Sequence, residues 1–142
     1  MPIYSKQGQY YILFTKRTEK VKEHKGEISF PGGAYDKGDR TLVDTALREC
    51  TEEIGLMAEE VEVLGELDDM ATTLSNYIVT PFVAFISGLH HLKVDGEEVE
   101  EIIEVPIRVL LDKGCLRHET EIIDGMEDTL LFYHYQGRVI WG

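Results

Sequence analysis

TLVDTALRECTEEIGL, residues 41–56, has the pattern of a helix and carries an unusual concentration of charge. Leu42, Ala46, Leu47, Cys50 and Ile54 recur at helical spacing and give one apolar stripe. Thr41 stands where an N-cap belongs, Asp44 completes a capping-box pattern, and Gly55 ends the run. Between these stops Glu49, Glu52 and Glu53 fall at i, i+3 and i+4, so their carboxylates project from one side. Arg48 and Glu52 form an i, i+4 pair. The plain explanation is a solvated face relieved by one ion pair, each such pair contributing only about 0.2–0.5 kcal/mol. Two features argue for more. The carboxylates flank the buried stripe, and Pro31-Gly32-Gly33 precedes the helix at a distance that lets a backbone carbonyl return toward them. Hard cations such as Mg²⁺ take carboxylate and carbonyl oxygens and bridge to substrate phosphates. The pattern is therefore that of a metal–pyrophosphate site.

The rest of the chain is compatible with such a site. Its 142 residues, 43% of them hydrophobic, suffice for one domain with a real core, so residues 1–142 are read as a single domain. With 27 Asp and Glu against 14 Lys and Arg the net charge is -13, which opposes a broad grip on nucleic acid or on an anionic membrane surface. The longest apolar run, Ile78 to Ile86, is nine residues and interrupted by Thr80 and Pro81, against the roughly 20 that a membrane helix needs. The opening MPIYSKQGQYY lacks the shape of a signal peptide, and a cytoplasmic location is expected. Cys50 and Cys115, with no CxxC spacing, read as reduced, packed thiols.

Strands are expected at Gln9 to Arg17, Glu27 to Phe30, Val61 to Leu67, Tyr77 to Ile86, Ile102 to Val105, Leu116 to Ile123 and Thr129 to Tyr135. Ser5 to Gly8 reads as a turn after the short segment PIY, and Tyr35 to Arg40 as a loop. Strands, a loop and helix, then more strands predict an α+β mixed sheet packed by few helices.

GAYDKGDRTLVDTALRECTEEIGL, residues 33–56, resembles the Nudix box, whose pattern is G, five residues, E, seven residues, R-E-apolar-x-E-E-x-G-apolar. Arg48, Glu49, Cys50, Glu52, Glu53, Gly55 and Leu56 match the second half at every fixed position. In the first half Asp39 stands at the Glu position, and eight residues separate it from Arg48. LFTKRTEKVKEHKGEISFPGG, residues 13–33, is similar to the upstream signature of the coenzyme A diphosphatase branch, whose members commonly carry Asp and one extra residue at that point. LDDMATTLSNYIVTPFVAF, EVEEIIEVPIRVLL and RVIWG resemble later segments of the branch. Lys22 occupies a place where the signature usually has Arg. Relatives would have more of a first strand and a C-terminal helix, so the expectation is either a chain trimmed at both ends or an unusually compact member.

The resemblance implies the Nudix fold and hydrolysis of a nucleoside diphosphate linked to another group. For the coenzyme A branch the products would be 3′,5′-ADP and 4′-phosphopantetheine, with Mg²⁺ or Mn²⁺ as cofactor. It implies Glu49, Glu52 and Glu53 as metal ligands with the Gly33 carbonyl, and Arg48 as the group that orients Glu52. Arg17, Lys22, His24 and the Gly32 turn are the expected substrate contacts, with Arg17 and Lys22 read equally as ordinary strand-end and loop charges. Two places are open for the general base: Glu52, or the acidic run Glu97 to Glu101, where Glu98 leads and Glu101 is second. Such a run is otherwise a solvated loop. His90-His91 reads as a surface turn, having no third ligand beside it. The partner is a small molecule, and a homodimer is admitted. Two other readings stand beside this one: a Nudix hydrolase of another substrate such as ADP-ribose, NADH, a dinucleoside polyphosphate or an oxidised nucleoside triphosphate, and an inactive binding module on the same fold.

Overall fold

The computed structural model describes residues 1–22, 24–72, 77–88, 91–123 and 126–141. Along the chain these form β1 (Pro2–Lys6), β2 (Gln9–Arg17), β3 (Ile28–Ser29), α1 (Leu42–Ile54), a 3-10 turn at Ala58–Glu60, β4 (Val61–Glu66), β5 (Met70–Ala71), β6 (Ile78–Val79), β7 (Phe82–Ile86), β8 (Val99–Pro106), α2 (Ile107–Leu110), β9 (Leu116–Ile123), β10 (Met126–Tyr135) and β11 (Arg138–Trp141). The order is that of an α+β protein with a mixed sheet.

β2 is the hub of the main sheet, antiparallel to β1, β3 and β8. β1 continues the sheet through a parallel pairing with β7, and β7 pairs antiparallel with β4. A strand with neighbours on both edges and cover on both faces must be apolar throughout, and QYYILFTKR is so at its centre. Leu13 packs on one face with Cys50, Ile54 and Leu56 from the α1 region. Ile12 and Phe14 pack on the other with Ile28, Ile103, Val105 and Ile140, where α2, β10 and β11 also contribute. The sheet thus lies between α1 on one side and α2 with the β9–β10–β11 meander on the other.

Three expectations are corrected. β1 runs through Ser5 to Lys6, because the turn is only Gln7-Gly8, both with positive φ (53° and 74°), a two-residue hairpin whose twist suits the strands. Tyr77 to Ile86 is not one strand. Pro81 has no N–H for a ladder, so β6 pairs with β5 in a separate ribbon while β7 joins the main sheet. Within Glu97 to Glu101 the last three residues are not loop but the start of β8, opposite the basic end of β2 with a register shift between Lys16 and Arg17. His90 and Gly142 lie outside the described residues. Among those described, no helix is long and apolar enough to cross a membrane.

Candidate active site

Helix α1 is closed at both ends by its own sequence. The Thr41 hydroxyl accepts from the Asp44 N–H at 3.2 Å, and the Asp44 carboxylate accepts from the Thr41 N–H at 3.1 Å. At the other end Gly55 adopts the left-handed conformation (φ 69°) and donates to the Thr51 carbonyl at 3.0 Å, while Leu56 donates to that of Cys50 at 3.2 Å. Two further carbonyls of the last turn accept from the segment before β8: Lys93 N–H to Ile54 at 3.0 Å, and Asp95 N–H to Glu53 at 3.0 Å. The helix end and the start of β8 are therefore one unit.

Arg48 is the centre of the charged face. Its Nε and Nη2 donate to the two oxygens of Asp39, each at 3.0 Å, and Nη2 also to the Ala34 carbonyl at 3.1 Å. Nη1 donates to Glu49 at 2.8 Å and to Glu52 at 3.1 Å. All the N–H groups of the guanidinium are thereby used. The Arg48 guanidinium holds the Asp39 carboxyl well below the usual carboxylate range, helped by the Asp36 N–H at 3.0 Å and the Thr45 hydroxyl at 2.8 Å. In turn Asp39 raises the Arg48 pKa further, so the pair is charged at any working pH. Arg48 reaches Glu52 as expected from the sequence, but its bidentate partner is Asp39, nine residues earlier, and through it the loop is latched to the helix.

The Gly32-Gly33 turn meets the same face. The Glu49 carboxyl lies so close to Gly33 that a Cβ there would stand 2.4–2.6 Å from its atoms. Gly32 has a φ of 150° and donates its N–H to Glu53 Oε2 at 3.1 Å. Glu53 is only 4% exposed. Burial pushes its carboxyl up to about 7, and the charge of Glu49 adds to the shift; the Gly32 N–H and Arg17 oppose it.

Arg17 arrives from the end of β2. Its Nη1 is 3.8 Å from Glu53 Oε1 and its Nη2 is 3.4 Å from Glu98 Oε2. Glu98 is delivered by a braced turn. Thr18, buried at the end of the strand, donates its N–H to the Glu98 carbonyl at 2.8 Å and its hydroxyl to the Glu97 carbonyl at 2.7 Å. Asp95 accepts from the N–H groups of Glu98 and Val99, both at 2.9 Å. Burial opposes ionisation of Asp95, but these backbone donors outweigh it and hold the carboxyl below its ordinary value. Lys20 closes the turn with bonds to the Gly96 carbonyl and the Glu97 carboxylate.

Of the residues expected from the sequence, Gly32, Gly33, Arg48, Glu49, Glu52 and Glu53 thus meet around α1, and Arg17 links Glu53 to Glu98. Glu101 is drawn elsewhere, to Arg138. Lys22 is exposed and has no ion pair among the described residues. His24 turns to Glu27, with Nδ1 2.8 Å from the carboxylate, and touches none of the box glutamates. Asp39, Thr18 and Asp95 position the site from outside the matching half of the motif. The Asp39 position was legible only as a departure from the box, and Asp95-Gly96 only as a turn signal.

Among the described residues no three His, Cys, Asp or Glu side chains stand at metal-coordinating spacing, and Arg48 bonds to both Glu49 and Glu52. The donor set nevertheless fits a hard divalent ion. It consists of carboxylates beside a glycine turn, and Glu53 is a buried carboxylate whose nearest cation among the described residues is 3.8 Å away.

A NUDIX domain family model matches residues 1–122. The protein named "Uncharacterized Nudix hydrolase NudL" from Photorhabdus laumondii is 34% identical over 131 residues, which cover 92% of this chain and 70% of that protein. Nudix hydrolase 3 of Caenorhabditis elegans is 40% identical over 119 residues, 82% of this chain; the match spans 49% of that relative's own length. In fold, the C. elegans Ap4A hydrolase in a binary complex superposes with a TM-score of 0.64 at 15% identity, covering 75% of this chain and 76% of that one.

Proposed function

The chain belongs to the Nudix hydrolase family, and on that premise we propose that it is a metal-dependent pyrophosphohydrolase that cleaves coenzyme A or its derivatives to 3′,5′-ADP and 4′-phosphopantetheine. The observation that carries the reading is the joint between two segments. The glycine turn that ends residues 13–33, the stretch similar to the coenzyme A branch, donates the Gly32 N–H to Glu53 of the box helix and brings Gly33 against the Glu49 carboxyl.

Glu49, Glu52 and Glu53 would hold the ion, Mg²⁺ or Mn²⁺, with the Gly33 carbonyl as a further donor. When bound, such an ion neutralises phosphate oxygens and acidifies water. The chain's own groups do the rest. Arg48 keeps Glu49 and Glu52 in register with the 34–39 loop. Arg17 at the end of β2, with Lys22 and His24 from the segment that follows it, meets the phosphates, and the Gly32 turn leaves room for a backbone approach. Glu98, more than half exposed and held on its braced turn, or Glu52 takes the proton of the attacking water. With both cysteines free, a cytoplasmic location suits this reading, as does a single domain over residues 1–142, whether monomer or homodimer.

The test is a panel of coenzyme A, acetyl-coenzyme A, ADP-ribose, NADH, diadenosine polyphosphates and 8-oxo-dGTP, incubated with the protein and Mn²⁺ and resolved by mass spectrometry. Release of 4′-phosphopantetheine from coenzyme A alone is the expected result. Turnover of another member would overturn the substrate while leaving the carboxylate chemistry. Silence across the panel would favour a binding module.

A further inference from the structure

Glu53 and Glu98 face each other across Arg17, and the guanidinium between them is only half satisfied. Its contacts to the two carboxylates, 3.8 and 3.4 Å, are long beside the 2.8–3.1 Å bonds of Arg48. Its Nε is buried and has no acceptor among the described residues. The other cations at this end of β2 are committed elsewhere, Lys16 to Glu100 and Lys20 to Glu97. Arg17 is therefore the cation that reaches both carboxylates, without bonding well to either. A buried donor without an acceptor calls for an explanation, and one explanation is a ligand that completes it. Because Glu53 is almost wholly enclosed, removing the positive charge beside it would leave a carboxylate unpaired in a poorly solvated place.

We propose that Arg17 is a resident counter-ion: it compensates Glu53 and Glu98 until a divalent cation takes the carboxylates, and its guanidinium is then released to a phosphate of the substrate. The inference rests on the proposed metal-dependent function and deepens it. It makes metal binding a competition with a side chain of the protein, and it makes metal and phosphate binding mutually favourable through one residue. The unfilled Nε–H then acquires an acceptor, because a phosphate offers several oxygens to a planar fork.

The probe is Mn²⁺ alone, without phosphate, with binding read by electron paramagnetic resonance on wild type and Arg17→Gln, and folding checked by thermal unfolding. Loss of the competing charge should tighten Mn²⁺ binding roughly fivefold. Equal or weaker binding by Arg17→Gln overturns the proposal. A second measurement needs no variant to fold: titrating Mg²⁺ into wild type should move the Arg17 Nε–H resonance and speed its exchange with solvent. A resonance that stays still while the metal binds also overturns it. Wild type that takes up no Mn²⁺ would remove the proposed metal-dependent function as well, whereas Mn²⁺ binding left unchanged by Arg17→Gln removes only the counter-ion.

Discussion

Arg48 pairs with Glu49 and Glu52 of the box helix and Arg17 with Glu53, and the two arginines differ in how completely they are bonded. Arg48 uses every N–H it has on Asp39, Ala34, Glu49 and Glu52. Arg17 makes two long contacts, and its Nε has no acceptor among the described residues. A guanidinium that is fully satisfied inside the protein has little to gain from a ligand, and it serves to hold a loop and a helix in fixed relation. One that is enclosed but unsatisfied is poised for an exchange of partners. The same residue type is thus a brace in one place and a ligand-responsive group in the other, and the hydrogen-bond inventory separates the two roles.

The largest effect should come from Glu53, the buried carboxylate beside Arg17. Glu53→Gln keeps the shape and the Gly32 N–H bond but loses the charge, and turnover with Mn²⁺ should fall on the order of a thousandfold, as for loss of a charge-stabilising group. Its stability should move in the opposite direction. The Glu53 carboxyl titrates near 7 in the folded chain against 4.5 for the ordinary group. The stability it contributes is therefore fully present below pH 4.5 and is lost as pH rises through 7. A glutamine never ionises. In EDTA at pH 8 the variant should be more stable than wild type by up to about 3 kcal/mol, and the difference should vanish near pH 4.5. Denaturant unfolding at the two pH values checks this, and a variant that keeps full turnover would end the ligand assignment.

Arg48→Lys breaks the brace without removing its charge. A lysine ammonium offers three donors from one point and cannot fork onto Asp39 while also holding Glu49, Glu52 and the Ala34 carbonyl. Turnover should drop by about 10- to 100-fold, the range for losing a group that orients ligands, and Mn²⁺ binding should weaken with it. This is the reverse of the tightening expected when Arg17 is neutralised. Near-wild-type kinetics would reduce Arg48 to a solvated helix pair.

The sequence made the helix legible to its ends, because Thr41, Asp44 and Gly55 act within a turn of where they stand. It also fixed β2 at Gln9–Arg17, whose apolar centre leaves little choice. What it hid were partnerships between distant segments. Pro81 signals a break, but not that β6 leaves for β5 while β7 joins β1 and β4. The acidic run at 97–101 resembles a solvated loop until Lys16, Arg17 and Lys20, about 80 residues earlier, are placed opposite it. Asp39 likewise acquires meaning only once Arg48 is seen to reach back over the loop.

Lys22 offers the smallest and most discriminating prediction. It lies five residues beyond Arg17, the last residue of β2, and is exposed with no ion pair among the described residues. If it meets a substrate phosphate, it does so as a mobile point charge in water, where one exposed ion pair contributes about 0.2–1 kcal/mol. Lys22→Ala should then raise the KM for coenzyme A by no more than about fivefold, leave kcat and Mn²⁺ affinity alone, and flatten the salt dependence of KM. Arg17→Gln, in contrast, should change metal binding before any substrate is added. A Lys22→Ala variant that altered Mn²⁺ affinity would mean that bonding saturation does not separate the cations of this site, and the distinction drawn between its two arginines would lose its force.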